Sequence, residues 1–211
     1  MEKTTAELTV EYIKEHPHIK HCLQKGILNY SSLSRLIAKD LGIEKSSSKE
    51  AILVASRRFQ EKLRSESFSE TKVRQVLERS ELEIRNKIAV LILKKPVDVV
   101  KLTGFEKDIR QEGGLLFSLD GSDHLTLISQ ERNLERIAKA FPALKHHRGL
   151  ALVTLKSPAE IESTPGVVSF LTALFAENGV NIIEFLSCWR DTLFVIEAKH
   201  VAKAHGFLNP S

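Results

Sequence analysis

The segment Glu162-Ser163-Thr164-Pro165-Gly166-Val167 joins a turn to a helix start, and the chemistry such a junction can do is carboxylate capture. Backbone N–H groups at a helix N-terminus receive an anion, and Gly166 removes the side chain that would hold a ligand at a distance. Asn181, which the sequence places at the start of the following strand, offers a carbonyl oxygen to an ammonium group and an amide N–H to a carboxylate. A plainer account also fits: Pro165-Gly166 is the turn alone, and Asn181 only ends a strand.

A second set of candidates is cationic. On a helix running from Ser47 to Arg64, Arg57 and Arg64 lie together opposite Ile52, Ala55 and Phe59, while Arg58 and Lys62 form a neighbouring pair. Such a face suits the phosphates and guanine edges of duplex DNA. Glu61, four residues from Arg57, would equally pair with it and leave the face merely solvated. Charge is divided unevenly. Residues 1–65 hold 12 Lys+Arg against 8 Asp+Glu, and residues 66–211 hold 19 against 19, so the whole excess of +4 is N-terminal.

Other reactive side chains read as structural. His16, His18 and His21 straddle a helix start and diverge, and they and His146-His147 suit surface or capping roles better than a metal. Asp120 and Asp123 flank a hairpin turn. Cys22 and Cys188 are far apart and belong to no C-x-x-C pair, so neither a disulfide nor a thiolate zinc site is expected, and both read as buried or half-buried thiols. Paired catalytic carboxylates, G-x-S-x-G, G-x-x-x-x-G-K and G-x-G-x-x-G are absent from the sequence. No enzyme activity, cofactor or metal is expected.

Elements must hold these groups in place. From Thr5 to about Arg64 the pattern is helical. Pro17 opens a helix with Ile19, Cys22 and Leu23 on one stripe and Gly26 at its end. Asn29 caps the next, with Leu33, Leu36, Ile37 and Leu41 as its apolar face and Gly42 beyond. Ser47 with Glu50 forms a capping box for a third, whose buried face is Ile52, Ala55, Phe59 and Leu63. Residues 1–65 therefore read as a helical bundle of helix-turn-helix type, and residues 66–86 as a linker helix with a lead-in strand.

The remainder looks like one unit used twice. Ala89 to Pro96 matches Ala151 to Pro158, sharing Ala, Leu, Lys and Pro at a constant offset, and Asp123 to Ile128 parallels Asp191 to Ile196. In the first copy a helix over 99–111 precedes strands at 115–119 and 125–129 around Asp120-Gly121, then a helix over 132–141. In the second, Val167, Leu171, Leu174 and Phe175 mark a helix closed by Gly179, before the β-branched run Val180 to Ile183. The expected fold class is α+β: the N-terminal helical bundle followed by two ferredoxin-like βαββα units, at 87–145 and 146–211.

With Thr164-Pro165-Gly166-Val167 at its first loop and Gly179-Val180-Asn181-Ile182 leading into its second strand, the C-terminal unit resembles the ACT domain, the amino-acid-sensing module attached to aspartokinases and other metabolic regulators. The resemblance implies that Thr164, Pro165, Gly166, Val167, Asn181 and Ile182 bind an amino-acid effector at an interface between ACT units. It carries over no kinase activity, because no kinase segment precedes these units. Together with the N-terminal domain, the chain is similar to a group of predicted regulators of amino-acid metabolism. This implies a transcription regulator in which an amino acid changes the arrangement of protomers, and with it the spacing of two DNA-reading helices. A homodimer is the default. A cytoplasmic protein without a membrane partner is expected, since no apolar run reaches about 18–20 residues. The alternative is a regulatory subunit that binds no DNA and docks its helical domain on a metabolic enzyme.

Overall fold

Capping side chains fix where the N-terminal helices begin. Thr4 starts α1 (Thr5–Glu15): its hydroxyl accepts from the Glu7 N–H at 3.3 Å, and the Glu7 carboxylate accepts from the Thr4 N–H at 2.8 Å. That backbone N–H, and next the Thr4 hydroxyl, hold the Glu7 carboxyl below the usual carboxylate range. Pro17 occupies the first turn of α2 (Pro17–Lys25), which stops at Gly26 in the left-handed conformation, φ 72°. Asn29 Oδ1 accepts from the Ser32 N–H at 3.1 Å to open α3 (Tyr30–Asp40). The expected cap Ser47 lies outside the described residues, and Ser48 performs the task for α4 (Lys49–Ser65), its Oγ accepting from the Ala51 N–H at 3.0 Å. This computed structural model describes residues 3–45, 48–65 and 70–209, and the chain divides into two units, Met1–Phe68 and Ser69–Ser211.

In the first unit the α4 stripe Ile52, Phe59 and Leu63 packs with Tyr12, Ile13, Leu23, Leu33 and Ile37. One expectation fails here. Leu36 and Leu41 are 43% and 36% exposed, because α3 presents Leu33, Ser34, Ile37 and Ala38 to the core, a line about one residue round the helix from the one read from leucines alone. Across this core the Tyr12 hydroxyl donates to Asp40 Oδ2 at 2.6 Å. Burial first, and then that hydrogen bond, push the phenol up to about 12. The folded value exceeds the unfolded one, so the protonated phenol contributes stability that is fully present below about pH 10 and is lost as pH rises through about 12. Tyr12→Phe is expected to flatten the alkaline fall in melting temperature over that window. A fall as steep as the parent's would overturn the assignment.

The second unit opens with α5 (Glu70–Glu78) and then forms one antiparallel sheet from β1 (Glu81–Lys94), β2 (Leu116–Asp120), β3 (His124–Gln130), β4 (Ala143–Lys156), β5 (Glu184–Cys188) and β6 (Asp191–Glu197), ordered β2-β3-β1-β4-β6-β5. Helices α6 (Val99–Gln111), α7 (Glu131–Ala140), α8 (Val167–Glu177) and α9 (Val201–Leu208) complete it. Each half runs strand, helix, strand, strand, helix, and the outer strand orders mirror each other about the β1–β4 pair.

Two βαββα units were expected, and the halves share one sheet. The cause is the length of β1 and β4, 14 residues each against the usual five or six. The first half of β1 pairs Glu81 to Asn86 with Lys156 to Ala151, while its second half lies between β3 and the start of β4. Both strands break register at residues held left-handed, Lys87 at φ 57° and Gly149 at φ 70°, and the offset that relates Ala89 to Ala151 also relates these two.

Alternate side chains of the central strands enter different clusters. Ala89, Leu91 and Leu93 join Ile109, Leu134 and Ile137 beneath α6 and α7, while Val153, Leu155, Phe194 and Ile196 join Leu171, Phe175 and Ala204 beneath α8 and α9. Ile88, Val90, Leu152 and Val195 form a further cluster on the opposite face, partly covered by Phe117 and Leu119 of β2 and Leu186 of β5. Burial on both faces is why Ile88 to Leu93 is continuously apolar. The run Val180 to Ile183 is not the strand its composition suggests. Val180 and Ile182 both reach the α8 cluster from the loop that follows the helix, and the strand starts only at Glu184.

Candidate functional site

The loop from β4 to α8 places the carboxylate-capturing residues. A 3-10 turn, Ala159–Ser163, ends at Thr164, whose hydroxyl donates to the Glu160 carbonyl at 2.7 Å. Gly166 follows at φ 90°, a conformation that a side chain would strain, and serves as N-cap of α8 without any side-chain hydrogen bond to the helix. The corresponding helix of the other half is closed differently: Asp98 Oδ1 accepts from the Lys101 N–H at 3.0 Å and puts a carboxylate of the chain itself on the α6 N-terminus. The α8 N-terminus opens instead on a cleft of about 440 Å³, lined by Glu162, Thr164, Gly166, Val167, Ser187 and Trp189 among others.

Of the residues expected at an effector site, the structure brings Thr164, Gly166 and Val167 to this cleft, Val167 with its side chain buried in the core. Pro165 is exposed beside it. Asn181 is exposed in the loop before β5, Ile182 packs into the α8 core, and neither lines the cleft. The wall opposite α8 comes from the β5–β6 hairpin, which no motif announced. Its two-residue turn is Trp189-Arg190, with Trp189 at φ 50° and 65% exposed. A bulky residue in that conformation costs of order 1–3 kcal/mol, and glycine is the usual occupant of such a hairpin position.

Contacts hold the turn against the loop. Trp189 Nε1 donates to Glu162 Oε2 at 3.3 Å, the Arg190 guanidinium lies 5.7 Å from the indole centroid, and Arg190 Nε donates to the Ser157 carbonyl at 2.7 Å. Beyond the loop, Glu160 accepts from Arg79 at 3.0 Å. Its own backbone N–H, followed by that guanidinium, keeps its carboxyl below the usual range. A sequence signal for this wall exists in retrospect: Trp189 is the chain's one tryptophan, and it stands where a tight turn must be.

The cationic candidates lie on α4. Arg57, Arg58 and Lys62 are exposed, and the Arg57 guanidinium sits 5.3 Å from the Tyr30 ring centroid. Tyr30 in turn donates its hydroxyl to Gln60, and Gln60 Nε2 donates to the Leu23 carbonyl at 2.8 Å, so Arg57 rests on a braced ring. Arg64 is in the last turn of α4, and its side chain lies outside the described residues. The connection between α3 and α4 spans 41–48. Cys22 is half-buried as expected, whereas Cys188 is exposed, because it closes an edge strand beside the hairpin turn. Among the described residues no group of three or more His, Cys, Asp or Glu side chains could hold a metal ion, and no helix is long and apolar enough to cross a membrane.

No family model matches the sequence, and no curated protein does. Solved structures do. The aspartate kinase of Clostridium acetobutylicum matches at 16% identity and a TM-score of 0.49, over 61% of this chain and 33% of that one. This chain thus spans about a third of that kinase's length. The ligand-free regulatory subunit of aspartate kinase from Thermus thermophilus matches at 14% and 0.47, over 60% of this chain and 92% of that one. A structure of aspartokinase alpha and beta subunits matches at 13% identity and a TM-score of 0.50, over 64% of this chain and 99% of that one. Over the 64% of its length that aligns, the chain therefore shares with that structure an α+β fold, which here contains an antiparallel six-stranded sheet.

Proposed function

We propose that the chain is an amino-acid-sensing regulator that binds its effector in the second unit and duplex DNA through the first. One observation carries the sensing half. Two helices stand in equivalent places, and α6 has its N-terminus filled by Asp98 while α8 has no side-chain cap and opens on a cleft of ligand size. In this reading residues 87–145 and 146–211 are two ACT-like, ferredoxin-like units that share β1 and β4, residues 1–65 read DNA, and residues 66–86 join them. Thr164, Pro165, Gly166 and Val167 shape the carboxylate end, while Asn181 and Ile182 stand in the loop behind α8, outside this cleft.

Regulation follows by linkage. An effector that binds one arrangement of a homodimer better than another shifts the population of that arrangement, and with it the affinity for DNA. The test is fluorescence anisotropy of labelled genomic duplexes with and without each of the twenty common amino acids at millimolar concentration. One of them is expected to change the apparent affinity by roughly 5- to 150-fold. Identical binding curves in every case would sink the reading.

A second reading is favoured by the apolar exposure beside those cations. Leu36 on α3 and Val54 on α4 are 43% and 44% exposed, which suits docking on a metabolic enzyme better than on phosphates. It requires that DNA binding be absent at low salt and that such an enzyme co-purify with the chain.

A further inference from the structure

β4 outruns its neighbour on one side. It pairs with β6 only from Leu150 onward, so Lys145, His146 and His147 are paired with Ile92, Leu91 and Val90 of β1 along one edge and, among the described residues, with no strand along the other. No further backbone hydrogen bond engages them there. Breaks of register between Ala143 and Lys145 and between His147 and Leu150 bound this free edge. It is too short to template another sheet, yet it holds out backbone donors and acceptors at strand spacing.

Its counterpart in the other half is covered and neutralised. The offset that relates Ala89 to Ala151 also sets Leu82, Glu83, Ile84 and Arg85 against Leu144, Lys145, His146 and His147. In β1 the Glu83 carboxylate accepts from Arg85 at 2.6 Å and lies 2.8 Å from Lys156 Nζ, while Leu82 and Ile84 pack with Val73 and Leu77. In β4, Leu144 is 58% exposed, and Lys145, His146 and His147 have no hydrogen-bond or ion-pair partner among the described residues. The carboxylates at this end are already engaged. Glu131 accepts from the Gly149 N–H at 2.6 Å, Glu135 stands 3.7 Å from Arg148, and Glu197 pairs with Lys199. Unpaired positive charge therefore lies along a free strand edge.

We propose that this edge docks an acidic, extended peptide segment of a partner protein. The segment adds as a short strand beside Lys145 to His147, sets its carboxylates against Lys145 and Arg148, and covers Leu144 with an apolar side chain. A second copy of this chain does not fit, because pairing the same edges would bring lysine and arginine against one another. None of these residues lines the cleft before α8.

The probe is a short, labelled, end-capped peptide of alternating glutamate and valine, followed by fluorescence anisotropy with the full chain. Two further versions, N-methylated on the glutamates or on the valines, keep every charge. In an added strand only alternate amides face the neighbouring edge, so one version is expected to bind like the unmethylated peptide and the other to lose binding. Equal behaviour of the two, both binding or both failing, would overturn strand addition.

Replacing Lys145 and Arg148 together by glutamate is expected to weaken the acidic peptide about tenfold or more, and to gain binding of the matching lysine–valine peptide. The gain separates a reversed edge from a variant that has merely unfolded. Parental binding of the acidic peptide by this variant would place its binding elsewhere and overturn the proposal. Failure of the acidic peptide with the parent chain, while the same double substitution weakens a labelled DNA duplex, would overturn it in favour of a phosphate-contacting patch.

Discussion

Phe194→Ala is expected to lower the stability of the second unit by about 3–5 kcal/mol, the cost of emptying a large aromatic site in a packed core. The ring is fully buried on β6, its centroid 4.5 Å from that of Phe175 on α8 and 5.2 Å from that of Phe185 on β5. It therefore ties the edge strand and the helix to the sheet at once. Urea unfolding followed by tryptophan emission isolates the effect, because Trp189 belongs to the second unit and the first contains no tryptophan. Phe185→Ala is the control: at 37% exposed it should cost much less. A loss below about 1 kcal/mol for Phe194→Ala would mean that the core around α8 does not depend on this ring.

Replacing Arg58 and Lys62 together by alanine is expected to weaken duplex DNA binding roughly tenfold or more on any sequence, and to flatten the salt dependence by about one unit for each phosphate no longer neutralised. Both residues are exposed on α4, next to the buried line Ile52, Ala55, Phe59 and Leu63. Arg57 is different. Its guanidinium is oriented by the Tyr30 ring, so it is the better base reader, and Arg57→Ala should relax specificity more than affinity. Anisotropy between about 50 and 200 mM salt measures both effects, after the variants are shown to melt like the parent. Absence of binding at the lowest salt, or parental binding by the double variant, would remove the DNA reading and leave enzyme docking.

The helices were legible wherever a cap and a stripe agreed. Asn29, Pro17 and Gly26 act locally, through their own backbone or a partner three residues away, so their effect does not wait for the fold. The α3 face was read one line off because leucines were counted and Ser34 and Ala38 were not, although small residues are what allow close helix packing. Strand starts were harder. Val180 to Ile183 has strand composition, yet strand pairing with β6 begins only at Glu184, and composition does not contain that choice of partner.

The repeat of Ala89 to Pro96 in Ala151 to Pro158, the α8 start at Gly166-Val167, the cationic α4 face and the N-terminal charge excess are determined by the sequence itself, because each is a matter of residue types at fixed spacing. Only the tertiary structure decided that the two halves share a sheet, since strand pairing between β1 and β4 is a choice of partner and register that either strand's pattern permits. The same holds for the cleft. Glu162 and Trp189 come from two separate elements, and it is the β5–β6 hairpin and the loop before α8 that bring them to one place.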